Sequence, residues 1–226
     1  MKRIATGLAG AALLLTAAAG VEPSPELPAG WTGPVLEQRR LPTYDETVAL
    51  DLRRRSFRSE RHEARVAVFP VRIGDTFDAA CASEIARQLC QSGLAGAATV
   101  AGPLALPLLR EADETRAGWA LARTLGHEIA VRGDLAGAHY ALYTDVALDA
   151  DAPGQGFVHF VVCDAAGRWV IVDFRHPAES APADRPPATI DGVPDYVIRR
   201  LADQLEVPVL RRAETAPGLA RPQPSP

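Results

Sequence analysis

The sequence predicts an α/β domain with a single mixed sheet, the element order β-α-β-α-β-β-β-β-α, and helices packed on the sheet. Near-continuous apolar runs, typical of strands covered on both faces, alternate with helical patterns in the first half of the ordered region. Strand patterns follow one another in the second half, before a final amphipathic helix. Alternation predicts parallel pairing at the front, and consecutive strands predict an antiparallel meander at the back.

The first strand covers residues 65–71, where the sequence RVAVFPV is almost wholly apolar. Asp75 or Thr76 is the predicted cap of the next helix. That helix carries an apolar stripe with a spacing of four residues: Phe77, Cys81, Ile85 and Leu89. Gly93 ends it, and a second short strand covers residues 97–101.

A second helix extends from Pro103 to about Leu125 and is expected to stop at Gly126. The sequence EIAVRG predicts a third strand at 128–133, and a fourth covers 139–148.

Residues 157–164 and 168–174 are predicted to form a hairpin around the type I turn Asp164-Ala165-Ala166-Gly167. The last helix covers residues 195–206.

The amino-terminal residues 1–19 have the pattern of a secretory signal peptide. Lys2 and Arg3 precede a short apolar run, and an Ala-x-Ala site predicts cleavage after Ala19. A retained amino-terminal anchor is the alternative, although the apolar run is thin for a span of ~20 residues. No cysteine follows the apolar run, so a lipoprotein attachment site is not predicted. We therefore expect a periplasmic or secreted protein.

The remaining chain divides into a flexible, charged leader at 20–64, the α/β domain at 65–210 and a disordered, proline-rich tail at 211–226. Within the leader, a short helix between Tyr44 and Arg55 is an option.

The charge balance argues against a nucleic-acid partner. The full chain has 24 Lys and Arg against 28 Asp and Glu, a net charge of −4. Removing residues 1–19 takes away two basic residues and leaves 22 − 28 = −6. An acidic protein of this kind does not attract a phosphate backbone.

The three cysteines, Cys81, Cys90 and Cys163, leave two alternatives open. On one helix, Cys81 and Cys90 lie on opposite faces and cannot form a disulfide with each other. Cys163 pairs with one of them, or all three are free thiols. Metal-ligand spacings and cofactor-binding motifs are absent from the sequence, so we predict neither a metal nor a cofactor.

The predicted hairpin register places His159 opposite Asp173, within reach of an imidazole–carboxylate hydrogen bond. The segment HFVVCDAAGRWVIVD, residues 159–173, resembles the histidine-strand, turn and aspartate-strand part of transglutaminase-like thiol enzymes. The resemblance implies Cys81 as nucleophile, His159 as base and Asp173 as the orienting acid, acting on amide bonds. Cys81 also fits the position of a core thiol in the apolar stripe, so both interpretations remain.

Two further stretches, VAVFPV at 66–71 and ARTLGHEIAVRGDL at 122–135, together with the turn VCDAAGRWVIVDF, resemble TolB amino-terminal and CsgG-like periplasmic domains. The resemblance covers residues 65–174. It implies an envelope scaffold or accessory domain without an active site.

Two functional hypotheses follow. The favoured one is a non-catalytic binding or assembly accessory of the bacterial envelope with an envelope protein as partner and no stable membrane anchor after cleavage. The alternative is the thiol enzyme described above. A ligand cleft lined by Trp169, Tyr140 and Tyr143 is a further candidate site. The sequence does not predict the oligomeric state.

Overall fold

The computed structural model describes residues 40–104, 106, 114–132, 135–148, 156–174 and 185–208. The predicted signal peptide at 1–19 and the predicted tail at 211–226 lie outside these residues. The end of the predicted domain, residues 209–210, lies outside them as well.

The described chain is a mixed α/β fold with one mixed sheet, as predicted. Its helices are α1 (Tyr44–Glu60), α2 (Ala79–Gln91), α3 (Glu114–Arg132) and α4 (Val193–Leu205), with a 3₁₀ turn at Ile190–Gly192. Its strands are β1 (Arg65–Val68), β2 (Val71–Ile73), β3 (Thr76–Asp78), β4 (Ala97–Val100), β5 (Tyr140–Ala147), β6 (Phe157–Asp164) and β7 (Trp169–Asp173).

Strands β1 and β2 are two parts of one path that is interrupted at Phe69 and Pro70, since proline has no N–H for the ladder. β5 runs parallel to both parts. On the other side of this path, β4 pairs with β1 in parallel and β3 pairs with β2 antiparallel. β6 and β7 continue from β5 as an antiparallel meander. The predicted combination of parallel front and antiparallel back is confirmed.

The two sheet faces carry separate cores. α2 and α4 cover what we call the α2–α4 face, whose strand residues are Val66, Val68, Val71, Leu142, Val146, Val158, Phe160, Val162, Val170 and Ile171. α3 covers the α3 face through its apolar stripe of Leu121, Leu125 and Ile129. Side chains alternate between the two cores along β5 and β6 because successive strand residues point to opposite faces.

Helix α1 lies at the seam between the two faces. Its Phe57 is buried in the α2–α4 core, and Arg53 donates from Nε to the carbonyl of Trp169 on the edge strand β7. The amino end of α1 is fixed by a capping box between Thr43 and Glu46. Residues 44–60, within the segment predicted as a leader, are therefore part of the folded unit.

The start of α2 differs from the prediction. Thr76–Asp78 forms β3, and Asp78 caps the helix by accepting a hydrogen bond of 2.8 Å from the backbone N–H of Cys81. The predicted caps Asp75 and Thr76 are wrong because Thr76 pairs with Ile73 in the sheet and Asp75 lies in the turn that precedes β3. Phe77 is 38 % exposed and does not belong to the apolar stripe, whose other members are buried.

Gly126 does not end α3. The helix continues to Arg132, so the strand predicted at 128–133 is helical as far as that residue. A Cβ atom at Gly126 would lie 2.4 Å from the carbonyl oxygen of Gly167. The glycine is needed for the close contact between α3 and the β6–β7 turn, and its C-cap interpretation is wrong. The helix-to-strand step in the TolB and CsgG pattern is likewise not observed there.

Among the described residues, no helix combines the length and apolar character needed to cross a bilayer.

Candidate functional site

The structure does not bring Cys81, His159 and Asp173 together. Cys81 lies in the α2–α4 core, and Asp173 accepts a hydrogen bond from Arg200 of α4 on the same face. His159 points to the α3 face, because its neighbours Val158 and Phe160 both belong to the α2–α4 core. The sheet therefore separates the predicted base from the predicted nucleophile and acid.

The predicted hairpin register is correct at Cys163 and Trp169 and wrong beyond them. A bulge follows this pair, so that Val162 lies opposite Ile171 and Phe160 opposite Asp173. The extra residue is Val170, and both Val170 and Ile171 are buried in the α2–α4 core. The bulge buries two consecutive apolar side chains and directs Asp173 away from His159.

The thiols have the environment of core residues. Burial, together with the nearby carboxylate of Asp78, raises the pKa of Cys81 to about 12. Burial also raises the pKa of Cys163 well above its usual range. All three cysteines are free, with Cys90 exposed. A thiol that ionises only at high pH is a poor nucleophile near neutrality.

The His159 ring is held between aromatic rings. It stacks on Phe157 with centroids 4.2 Å apart and meets Phe174 edge-on at 5.4 Å. Burial lowers its pKa to about 4. Its Nε2 is buried and has no hydrogen-bond partner among the described residues. These features are those of a neutral packing histidine, and a general base near neutrality needs a higher pKa.

Arg200 and Asp173 form a buried ion pair, with Nε and Oδ2 2.9 Å apart and side chains only 2 % and 3 % exposed. Arg200 also approaches the more exposed Asp203 at 3.5 Å. Because Arg200 lies on α4 and Asp173 on β7, the pair fixes the helix to the sheet. Asp173, the predicted orienting acid, is therefore bound to Arg200 and has a structural role.

A second buried polar group lies on the α3 face. Arg72 donates to the carbonyl oxygens of Gly74 and Leu106, each at 3.1 Å, and lies 3.6 Å from Asp145. Burial raises the pKa of Asp145, and Arg72 opposes that rise. These contacts connect the β2–β3 turn to residue 106, and we assign them a structural role.

An open cleft of about 440 Å³ lies at the seam, between α1, α3 and the β6–β7 turn. The residues that line it are Asp45, Glu46, Ala49, Arg53, Arg123, Gly126, His127, Gly167, Arg168 and Trp169. Trp169, one of the predicted ligand-binding residues, is among them.

The other two predicted aromatic residues lie elsewhere. Tyr140 packs edge-on against Phe57 in the α2–α4 core, with centroids 4.6 Å apart. Tyr143 is fully buried on the α3 face, where burial raises its pKa to about 12. The predicted grouping of three aromatic residues is therefore not observed, since Tyr140 and Tyr143 are three positions apart on β5 and so point to opposite faces.

Two glycines bring the walls of the cleft together. A Cβ at Gly167 would lie 2.0 Å from the carbonyl oxygen of Gly126, closer still than the reciprocal 2.4 Å contact described above. Gly167 also has a φ of +75°, which suits the turn after Asp164. The indole Nε1 of Trp169 donates to the Ala122 carbonyl of α3 at 3.0 Å, which fixes the ring on the helix.

Arginine side chains surround Trp169. The Arg123 guanidinium lies 5.2 Å from the centroid of the indole ring, a cation–π arrangement. Arg123 also donates to the carbonyl of Arg40 and lies 4.0 Å from Glu46. Arg40 binds Glu46 through two hydrogen bonds of 2.6 and 2.7 Å, and this pairing holds the pKa of Glu46 at about 2. The Glu46 carboxylate thus lies within ion-pair distance of both Arg40 and Arg123.

Arg53 stands apart from this network. Its Nε is bound to the Trp169 carbonyl, and within the described part of the chain no carboxylate lies within ion-pair distance of it, although the charge of Asp164 acts on it at longer range. Burial lowers its pKa, although an arginine remains charged at any physiological pH. The remaining N–H groups of its planar fork are available to a planar acceptor such as a carboxylate.

Sequence reasoning missed Arg53, Arg123 and the Gly126–Gly167 contact. The arginine-rich stretch at 53–61 reads as a solvated charged face, and no local signal connects it to a tryptophan more than a hundred residues later. The Gly-x-Trp sequence at 167–169 was a usable signal for the hairpin end of the site.

Metal ligands are not assembled in the structure: across residues 40–104, 106, 114–132, 135–148, 156–174 and 185–208, no three His, Cys, Asp or Glu side chains form a group suited to an ion.

No protein-family model and no curated protein matches this chain. Among solved structures, the chain is similar to a PelC dodecamer from Paraburkholderia phytofirmans, with 16 % identity, a TM-score of 0.33, and coverage of 66 % of this chain and 91 % of that chain. It is also similar to a single-residue variant of the same dodecamer, with 15 % identity, a TM-score of 0.34 and the same coverage. TM-scores below 0.5 do not establish a shared fold.

Proposed function

We propose that this chain is a non-catalytic binding or assembly accessory domain of the bacterial envelope, which binds a partner protein at the cleft around Trp169. The observation that supports the proposal most strongly is the contrast between the cleft and the thiol–histidine–carboxylate set. The cleft presents Arg53 and Trp169 at the surface, whereas Cys81, His159 and Asp173 are buried and divided between two faces.

The amino-terminal pattern of residues 1–19 supports export, because a basic start, a short apolar run and an Ala-x-Ala site are what signal peptidase substrates have in common. The stretch VAVFPV, which contributes to β1 and β2, and the β5–β7 meander support the likeness to TolB amino-terminal and CsgG-like domains. Both features are consistent with a domain that works by binding in the envelope.

The experiment combines cell fractionation with in vivo cross-linking of the full chain carrying a carboxy-terminal tag. We expect the tagged protein in the periplasmic fraction, with a mature amino terminus at Gly20, and cross-linked to a second envelope polypeptide. A Cys81→Ser variant is the control and should behave identically. Uncleaved protein in the cytosol, or a turnover that Cys81→Ser abolishes, would contradict the proposal.

A further inference from the structure

The cleft continues onto an exposed apolar strip of α1, which we call the α1 stripe and define as Tyr44, Val48 and Leu52. Their exposed fractions are 82 %, 40 % and 61 %. They are spaced by four residues and form one ridge about 12 Å long at 1.5 Å per residue. Large apolar side chains in a row on a helix surface are unusual unless something covers them.

The α1 stripe and the cleft are adjacent on the same helix. Successive helix residues are rotated by about 100° about the helix axis. The strip of the α1 surface next to the α1 stripe therefore carries Asp45, Ala49 and Arg53, which line the cleft, and the buried Phe57 lies beyond them. One partner surface can therefore contact the stripe and the cleft together.

The charges define which partner fits. Three arginines line the cleft, Arg53, Arg123 and Arg168, against two carboxylates, Asp45 and Glu46. Glu46 is already bound by Arg40, and Arg168 is paired with Asp164 at 2.7 Å. Arg53 forms no ion pair with a carboxylate among the described residues, although the chain as a whole has a net charge of −4, and Asp164, which acts on Arg53 at longer range, is already paired with Arg168. The site favours an acidic group at its Arg53 end.

Resting on the proposed function, we propose that the cleft and the α1 stripe bind an acidic amphipathic helix of a partner protein. A carboxylate of the partner contacts Arg53, and its apolar side chains pack on Tyr44, Val48 and Leu52. Ridges spaced by four residues are what helices use to pack against one another. Asp45 lies about two helix turns, or about 12 Å, from Arg53 along α1. Because the carboxylate of Asp45 repels acidic side chains, those of the partner lie at the Arg53 end of the site.

A helical protein segment suits this surface better than a small molecule. Sites for small ligands enclose most of the ligand surface. Here the cleft is open on one side and continues into an exposed ridge, which is the geometry of helix-in-groove recognition.

Calorimetric titration with designed peptides tests the proposal. The probe is an amphipathic helical peptide of about four turns that carries Leu on one face and Glu on the other. The matched probe replaces every Glu with Gln. We expect the Glu peptide to bind the wild-type protein at least tenfold more tightly than the Gln peptide, with the difference reduced at high salt. Equal binding of the two peptides, or no binding of the Glu peptide, would overturn the proposal.

Protein variants locate the contacts. Arg53→Gln should weaken binding of the Glu peptide about tenfold, and Leu52→Asp should weaken both peptides. Asp45→Asn should leave binding equal or stronger. Arg87→Gln, at an exposed arginine on α2, is the matched control and should have no effect. Unchanged binding by Arg53→Gln or Leu52→Asp contradicts the assigned contacts.

The outcomes separate this proposal from the proposed function. An envelope partner whose capture is unaffected by Arg53→Gln and Leu52→Asp would leave the assembly role intact and overturn this site. Peptide binding by a protein found uncleaved in the cytosol would support the site and overturn the envelope role. Self-association of the chain that is lost in Leu52→Asp, without peptide binding, would replace the partner helix by a second copy and overturn the proposal.

Discussion

The closed α2–α4 face and the open seam at α1 use the same edge strand in opposite ways. On the closed face, β7 supplies Val170, Ile171 and Asp173 to a core in which the charged residue is bound by Arg200. At the seam, β7 supplies the Trp169 ring and carbonyl to a cleft in which Arg53 forms no ion pair among the described residues. The comparison indicates that the buried Arg200, which is paired with Asp173, has a structural role. Arg53, which forms no ion pair among the described residues, is suited to binding a partner.

The strongest way to break the closed face is Asp173→Asn. The substitution leaves the Arg200 charge buried without its carboxylate, and we expect a loss of about 3–5 kcal/mol in the free energy of unfolding. Urea denaturation measures it. Asp203→Asn is the matched control: Asp203 also faces Arg200 but is 55 % exposed, so its loss should cost less than about 1 kcal/mol. Equal effects of the two substitutions would refute the structural role of Asp173.

A pH titration of stability tests the His159 environment. The folded protein holds this pKa at about 4 against an ordinary 6.5, so the unfolded chain binds more protons between these values. Stability should therefore fall as the pH falls from about 6.5 to about 4, by roughly 3 kcal/mol from this residue.

The comparison variant for this titration is His159→Phe, which keeps an aromatic ring between Phe157 and Phe174 and cannot ionise. Asp145 lies opposite His159 in the ladder, and its raised pKa acts in the other direction. The difference between wild type and His159→Phe isolates the histidine. The same steep acid loss in both proteins would contradict the assignment.

Gly126→Ala sharpens the account of the seam. An alanine favours a helix by ~1 kcal/mol over glycine, but its Cβ would meet the Gly167 carbonyl at 2.4 Å. We expect the clash to outweigh the helix preference and to leave a net loss of about 1–2 kcal/mol. Thermal denaturation measures it, with Val131→Ala at an exposed position of α3 as a control of small effect. A stabilised Gly126→Ala protein would show that the close contact is absent.

Thiol labelling involves no change in stability and counts the cysteines that are accessible in the native protein. In the native protein, Cys90 should react with a thiol reagent while Cys81 and Cys163 stay protected, because Cys90 is exposed and the other two are buried. In urea all three should react. Labelling of native Cys81 as fast as Cys90 would indicate an accessible thiol and reopen its catalytic interpretation.

Local patterns predicted the fold class, the parallel front and the antiparallel meander, because apolar runs and turn residues are encoded within a few neighbouring positions. Long-range contacts account for the errors at Gly126 and in the hairpin register. The sequence around Gly126 predicts a helix end, because the contact of Gly126 with the Gly167 carbonyl is not visible in the local pattern. The bulge at Val170 depends on the core into which Val170 and Ile171 pack, which the local pattern does not show either. The cleft joins α1 to a part of α3 and to a turn that are both distant in the sequence, so only Trp169 among its residues was predicted as a site residue.

Site-specific photo-cross-linking in cells tests the central claim most directly. A photoreactive side chain is placed at Ala49, which lines the cleft, and, as a control, at the exposed Ser83 on α2. The account predicts an adduct with one envelope polypeptide from position 49 and none from position 83. No adduct from position 49, or the same adducts from both positions, would contradict the claim that the seam is the binding site.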